Sequence, residues 1–247
     1  MDERPMMRGN WRVYHHATID STNLEALRLA RREALPWTAV VADTQTEGRG
    51  RMGRTWLDRR RHCLLMTALI YPPPGVEGLL GAAMALSAVR VLEEVGARDP
   101  AIKWPNDVML GGRKLAGILV EGPVARLMAV GIGLNVNAPL DPLPRDLAHR
   151  AAFLSDEIGR ELELLPLADA LLARFEREHF RLMSGELAEM LEDLRGYDCL
   201  SGREIRARSG ERVIEGRAVG WTDDGRLAII DSDGNKIALD AGEVTLS

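Results

Sequence analysis

The spacing of apolar and polar residues changes several times along the chain, and each change predicts an element. Trp11–His16 reads as a short strand. Asp20-Ser21-Thr22-Asn23 precedes Leu24-Glu25-Ala26-Leu27, which predicts a helix start with Thr22 and Glu25 as a capping box. Thr38–Asp43 is a valine-rich apolar run, the pattern of a buried strand. Glu47–Arg54 is a loop of glycine and arginine, and Cys63–Tyr71 is a second apolar strand closed by Pro72-Pro73-Pro74. Leu79–Val95 has helical spacing and stops at Gly96. Residues 102–121 predict a β-hairpin turning at Gly111-Gly112, followed by a strand over Leu127–Val136. Glu161–Leu194 is helical, with an interruption near Ser184-Gly185.

After Gly196 the period shortens. Arg203–Arg208, Arg212–Trp221, Arg226–Asp231 and Lys236–Leu239 are strand-like runs separated by Ser209-Gly210, Asp224-Gly225 and Asp233-Gly234, the dipeptides of tight turns. These readings predict a mixed α/β (α+β) domain over 1–198 and a small β-barrel over 199–247, with the boundary near Leu200.

Composition narrows the function only by exclusion. A net charge of −5 gives no global attraction for nucleic acid or an anionic membrane. The apolar runs Cys63–Tyr71 and Leu79–Val89 fall short of the ~20 residues of a membrane helix. Residues 1–10 carry both signs of charge and no apolar core of a secretory signal, so a cytoplasmic protein is expected. Cys63 and Cys199 stand far apart without a CxxC pair and fit reduced, packed thiols. Of 32 basic residues only Lys103, Lys114 and Lys236 are lysines, so a position that keeps lysine in this arginine-rich chain attracts interest.

Two segments carry candidate chemistry. In Gln45-Thr46-Glu47-Gly48-Arg49-Gly50-Arg51-Met52-Gly53-Arg54-Thr55-Trp56, three glycines allow close backbone approach, and Arg49, Arg51 and Arg54 offer forked donors to carboxylate or phosphate. Gly48, Gly50 and Gly53 also satisfy G-x-G-x-x-G, but a charge-rich stretch rather than a helix follows, and a proline run stands where a ribose-binding acid belongs. An RNA-binding patch would be alone on an acidic protein; a solvated loop is the bland alternative. Six arginines between residues 47 and 61 face only Glu47 and Asp58, which predicts a loop that stays open when empty and closes on an anionic ligand.

The second segment is Lys103-Trp104-Pro105-Asn106-Asp107 with Arg113-Lys114-Leu115-Ala116-Gly117. Turning at Gly111-Gly112 sets Leu110 opposite Arg113, Met109 opposite Lys114 and Asp107 opposite Ala116, so Asp107 and Lys114 become diagonal neighbours on one face. That pair reads equally as a ligand site or as a surface ion pair of little energetic value. Alone, Ser21-Thr22-Asn23 is a helix cap, and Gly131-Ile132-Gly133-Leu134-Asn135-Val136-Asn137 a strand end. There is no HExxH motif and no serine–histidine–aspartate arrangement.

Together and in order, these segments resemble the biotin–protein ligases. The resemblance rests on Asp20–Asn23, Gly48–Arg54, Lys103–Asp107, Arg113–Glu121, Gly131–Asn137 and the Ala241-Gly242-Glu243-Val244 ending, and runs from about Tyr14 to the C-terminus. It implies a catalytic domain like that of class II aminoacyl-tRNA synthetases, a C-terminal SH3-like barrel, and ATP-dependent formation of biotinyl-5′-adenylate before transfer to a lysine of a biotin carboxyl carrier protein. It further implies that Ser21, Thr22, Asn23, Gln45, Arg49, Gly50 and Arg51 hold biotin, with Gly48 and Gly117 among the ligand-binding positions. Lys114 would meet the reacting carboxylate and α-phosphate, Arg51 and Arg54 the phosphates, and Trp56 the adenine. Asn106, Asp107 and Asn135 would lie beside ATP and its Mg²⁺, with Asp107 as metal ligand. Lys114, Arg51 and Asp107 are thus the expected catalytic set.

Arg59-Arg60-Arg61-His62-Cys63 departs from the glycine-containing approach common in the family. Only about ten residues precede the first core strand, so the DNA-binding domain of bifunctional members, and direct DNA binding, are not expected. Family habit points to a homodimer. Two rivals stand beside this reading: a lipoate or octanoate transferase of the same superfamily, and a non-catalytic biotin- or nucleotide-binding regulator.

Overall fold

Cys63–Ile70 is buried at every position because both of its faces are covered. The computed structural model describes residues 5–32, 34–57, 62–72, 74–139, 141, 148–240 and 242–246. Its larger sheet contains β1 (Met6–Arg8), β2 (Trp11–His16), β3 (Thr38–Ala42), β4 (Cys63–Ile70), β5 (Ala101–Lys103), β6 (Asp107–Leu110), β7 (Arg113–Val124) and β8 (Leu127–Asn135). Their spatial order is β1-β2-β3-β4-β8-β7-β6-β5. β2 and β3 run parallel, joined through α1 (Thr22–Arg31); the remaining neighbours pair antiparallel.

Alternation along these strands divides the side chains between two layers. On one face Leu64, Met66 and Ile70 pack beneath α2 (Leu80–Glu94) and α4 (Leu164–Ser184), while the short α3 (Leu154–Ile158) and α5 (Leu187–Gly196) complete that side. On the other, Val40, Leu69 and Ala129 pack under Ala26, Leu27 and Ala30 of α1. α1 is short, so part of this second face is left for the site. Gly185, in the left-handed conformation, ends α4 where the sequence predicts an interruption.

Two polar features fasten the helical layer. Glu178, 1% exposed, receives Arg90 from α2 and Arg181 from its own helix, and both arginines also reach Asp193 of α5. His179 is 5% exposed, edge-on to Trp37, and donates from Nε2 to the Tyr71 carbonyl at 2.8 Å. Its Nδ1 has no partner among the described residues, and burial pushes its pKa below the ordinary value of 6.5. The unfolded chain therefore takes up this proton before the folded one, so stability is full above pH 6.5 and falls as pH drops through the folded pKa. Urea midpoints followed by tryptophan fluorescence should decline between pH 7 and 5, with a shallower decline in His179→Gln. An identical slope in that variant would place the acid sensitivity elsewhere.

The smaller sheet contains β9 (Glu204–Ser209), β10 (Arg212–Trp221), β11 (Leu227–Asp231), β12 (Lys236–Leu239) and β13 (Glu243–Leu246), in the order β12-β11-β10-β9-β13. All its pairings are antiparallel. Its apolar residues, including Ile205, Ile214 and Trp221, belong to the same continuous core as the larger sheet. Trp104 Nε1 donates to the Gly225 carbonyl at 3.2 Å, and Arg195 reaches the Trp221 carbonyl. Asp198 bridges Ile102 at the edge of the larger sheet, so the chain leaves one unit while still paired with it.

Four sequence expectations change in detail. The N-cap of α1 is Ser21, without a side-chain cap, because the Thr22 hydroxyl turns instead to Gln45 and Thr67. Residues 102–121 are not one hairpin, since β5 pairs with β6 ahead of the β6–β7 turn. Gly111 and Gly112 make that turn with φ of 55° and 74°, as the primed type requires. The predicted register holds for Leu110↔Arg113 and Met109↔Lys114, but Asp107 stands opposite Gly117 rather than Ala116. Leu115 is an extra residue on β7, and this bulge turns both Leu115 and Ala116 into the core. Finally, β1, β13 and α3 form where no element was expected.

Candidate active site

The second face of the large sheet carries a strip without side chains. β8 places Gly131 and Gly133 on it, and β7 places Gly117 opposite Gly133. A Cβ on Gly131 would lie 2.0 Å from Asn23 Oδ1, and one on Gly133 would lie 2.4 Å from the Trp56 ring. Only glycine allows these groups to lie on the sheet.

Around Gly131 a polar network is drawn together from four segments. The first turn of α1 supplies Thr22 and Asn23, both under 5% exposed. Thr22 offers its backbone N–H and hydroxyl to Gln45 Oε1, at 2.7 and 3.0 Å. Thr67, the polar residue of the otherwise apolar Cys63–Ile70, lies 2.9 Å from the Thr22 hydroxyl and 2.6 Å from Asn23 Oδ1. Asn23 Nδ2 donates to Glu121 at 2.8 Å and to the Leu119 carbonyl at 3.2 Å. Ser21 and Arg49 complete the walls of a small cavity of about 30 Å³. Donors and acceptors side by side suit a ligand that presents both.

The glycine–arginine segment folds over this cavity as a closed turn. Gly50 N–H donates to the Arg54 carbonyl, Trp56 N–H donates to the Gly48 carbonyl, and Arg49 bridges Thr55. Gly48 is pinned there because a Cβ would meet the Trp56 carbonyl at 2.4 Å. Each arginine is answered from outside the loop: Arg49 by Glu121 at 3.0 Å, Arg51 by Asn106 Oδ1 at 2.9 Å, and Arg54 by Glu243 of β13. The charge excess expected to hold the loop open is thus partly neutralised by other segments. Arg59, Arg60 and Arg61 lie outside the described residues.

Trp56 stands between this cavity and a larger one of about 570 Å³. The larger cavity lies where the two sheets meet, with Gly50, Arg51, Asn106, Asp107 and Lys114 on one side and Gly242–Thr245 on the other. Lys114 Nζ sits 2.6 Å from Asp107 Oδ1 and 5.8 Å from the centre of a Trp56 ring. The bulge at Leu115 brings Asp107, Lys114 and Gly117 to one face. Burial pushes the Arg51 guanidinium down from its ordinary pKa, against the opposing charge of Asp107. The Arg54 hydrogen bond holds the Glu243 carboxyl below the usual carboxylate range.

The structure therefore gathers Ser21, Thr22, Asn23, Gln45, Arg49 and Gly117 at one cavity, and Gly50, Arg51, Arg54, Asn106, Asp107 and Lys114 at the other, with Trp56 between them. Gly48 supports the loop from beneath. Asn135 is set apart: it is buried at the end of β8, its amide oxygen meets Cys63 Sγ at 3.5 Å, and it lines neither cavity. Asn137 staples Leu162 through both amide atoms. Sequence reasoning did not assign Thr67, Glu121, Gly131 or Gly133 to the pocket. The available signals were a polar residue inside each apolar strand and two glycines spaced by two on one strand face.

Comparison with known proteins agrees with this arrangement. Residues 16–137 match the Biotin/lipoate A/B protein ligase family, and residues 200–247 match the biotin protein ligase C-terminal domain. The biotin–[acetyl-CoA-carboxylase] ligase of Paracoccus denitrificans is 34% identical over 241 residues, covering 92% of this chain and 98% of that protein. The bifunctional ligase/repressor BirA of Bacillus subtilis is 31% identical over 230 residues, 91% of this chain and 71% of that protein. The solved structure of the Aquifex aeolicus biotin protein ligase in complex with biotin and ATP matches with a TM-score of 0.83 at 29% identity, over 95% of this chain and 99% of that one. Two cavities that share Trp56, on a chain aligned with such relatives nearly end to end, make this protein a member of the biotin protein ligase family.

Proposed function

We propose that this chain activates biotin with ATP, giving biotinyl-5′-adenylate and pyrophosphate, and then transfers biotin to a lysine of a biotin carboxyl carrier protein. The observation that carries the reading is Lys114, on the wall of the larger cationic cavity and 5.8 Å from the ring of Trp56, which also lines the small donor–acceptor pocket. Biotin's ureido ring fits the network of Thr22, Asn23, Gln45 and Thr67, and its carboxylate then points toward Lys114 and Arg51. The carboxylate oxygen attacks the α-phosphorus, the bond to the pyrophosphate oxygen breaks, and pyrophosphate leaves with that electron pair. Negative charge on the non-bridging oxygens is met by the fixed cations Lys114 and Arg51, the kind of preorganised stabilisation that lowers such barriers. The mixed anhydride then acylates the acceptor lysine amine, and AMP departs.

Asp107 is the carboxylate that the larger cavity offers beside Asn106, and no group of three or more metal-ligating residues occurs among the described residues. A lone carboxylate fits Mg²⁺ held chiefly by phosphate oxygens, whose role is to neutralise the polyphosphate. Asp107 and Asn106 would hold it. Trp56 would border the adenine, and Asn135 would act from behind the cavity wall.

The same proposal divides the chain into a catalytic unit over 1–198, on the pattern of class II aminoacyl-tRNA synthetases, and an SH3-like unit over 199–247. It extends to a homodimer formed through the large sheet. No helix among the described residues is long and apolar enough to cross a membrane, and we place the enzyme in the cytoplasm.

Biotin-dependent exchange of labelled pyrophosphate into ATP tests the activity. Absence of exchange, or equal exchange with lipoate or octanoate, would overturn the assignment. The small cavity, about 30 Å³, is walled by Arg49 and Trp56, so loop closure belongs to this proposal. Trp56 and its loop would shift to admit the ligand and then close over it. Trypsin should cut the empty protein first after Arg49, Arg51 or Arg54, and biotin with Mg-ATP should slow those cuts. Equal cleavage with and without saturating ligands would leave a static loop.

A further inference from the structure

Glu121 belongs to neither the phosphate chemistry nor the ligand contacts described above, yet it touches both halves of the small pocket. One carboxylate oxygen accepts from Asn23 Nδ2 at 2.8 Å, and the other faces Arg49 Nη1 at 3.0 Å. A carboxylate can only accept, so the Asn23 amide must turn its nitrogen toward Glu121. Its second amide hydrogen goes to the Leu119 carbonyl, which leaves Asn23 Oδ1 to accept from the Thr67 hydroxyl at 2.6 Å. Thr67 has one proton, which this donation uses, and the neighbouring Thr22 hydroxyl, 2.9 Å away, offers its own to Gln45 Oε1. Donation thus runs from Thr67 through Asn23 and ends on the charge of Glu121.

We propose that Glu121 is a positioning residue for the biotin site: it sets the donor–acceptor order of Asn23 and Thr67 and, through Arg49, ties the glycine–arginine loop to that floor. The proposal rests on the biotin-ligase reading of the pocket. A ureido ring carries its N–H donors and carbonyl acceptor in fixed places, so a wall of reversed order would set donor against donor. The carboxylate also couples recognition to closure, because the same group orients the pocket floor and anchors the loop.

Glu121→Gln and Glu121→Ala separate the two halves. Glutamine keeps an oxygen for Asn23 but loses the charge that attracts Arg49; alanine loses both. In the ligand-free full chain, Glu121→Gln should be cut by trypsin after Arg49 several-fold faster than wild type. In biotin-dependent pyrophosphate exchange, Glu121→Ala should raise the KM for biotin on the order of 10-fold, as expected for losing a hydrogen bond to a charged group. KM for ATP and the maximal rate should stay within about 2-fold, since Asp107, Lys114 and Arg51 contact other partners. Glu121→Gln should raise the KM for biotin less than alanine does. An unchanged cleavage rate in Glu121→Gln would overturn the tether even if the alanine variant fails to fold. An unchanged KM for biotin in Glu121→Ala, or an equal rise in KM for ATP, would overturn the positioning role. Failure of the wild-type chain to catalyse exchange would instead overturn the ligase reading, and the cleavage comparison is read without it.

Discussion

Lys114→Ala is expected to lose on the order of 10²-fold or more in adenylate formation, the usual effect of removing one preorganised donor from a developing oxyanion. The ammonium is placed by three separate features: the β6–β7 turn, the bulge at Leu115, and the strand-like run of Arg150–Ala152, which bonds both backbone atoms of Lys114. Asp107 at 2.6 Å orients it in the empty site. Lys114→Arg should also be severely impaired. A planar guanidinium presents its charge as a longer, forked group rather than as the compact ammonium that meets Asp107 here, so it would not put the charge at the same point. The readout is single-turnover formation of biotinyl-adenylate at saturating biotin and ATP, with thermal unfolding as the control for fold. Near-normal rates in an intact Lys114→Ala protein would reduce the lysine to an ion-pair partner of Asp107.

Gly131→Ala should be nearly as damaging, but in binding. The added methyl would meet Asn23 Oδ1 at 2.0 Å and Thr67 Oγ1 at 3.2 Å, so the Asn23 amide must leave the place that Thr67 and Glu121 give it. Overpacking costs about 1–3 kcal/mol and a broken buried hydrogen bond a similar amount, so biotin affinity should fall on the order of 10²-fold. The effect should appear in biotin titrations while ATP binding alone is spared, since Gly131 does not line the larger cavity. Equal weakening of both ligands would show that the sheet, rather than the pocket floor, had been disturbed.

Much of the scaffold was legible because its elements announce themselves locally. β3 and β4 are apolar runs covered on both faces, α2 has helical spacing and ends at Glu94, two residues before Gly96, and the C-terminal turns carry their glycines. The site was legible in another way. Gly48–Arg54, Asn106–Asp107 and Arg113–Gly117 each hold residue types suited to phosphate and carboxylate, but separately each leaves a bland alternative open, a solvated loop for the first and a surface ion pair for the others. Their meaning depended on order along the chain. β1, β13 and α3 escaped because three to five residues carry too little periodicity to register.

The sequence by itself determined the alternation of elements, the change of character near Leu200, and the identity of the cations, because these depend on neighbours a few positions apart. Only the tertiary structure decided which distant groups meet. The extra residue at Leu115 sets Gly117 rather than Ala116 opposite Asp107, Thr67 and Glu121 join a pocket begun at Thr22, and Arg54 finds Glu243 on the other sheet. The two units, separable by pattern, share one continuous apolar core. The reason is physical. Secondary structure follows from backbone and side-chain preferences that act within a few residues, whereas a register shift, a glycine floor or an ion pair between sheets depends on packing that no local preference encodes.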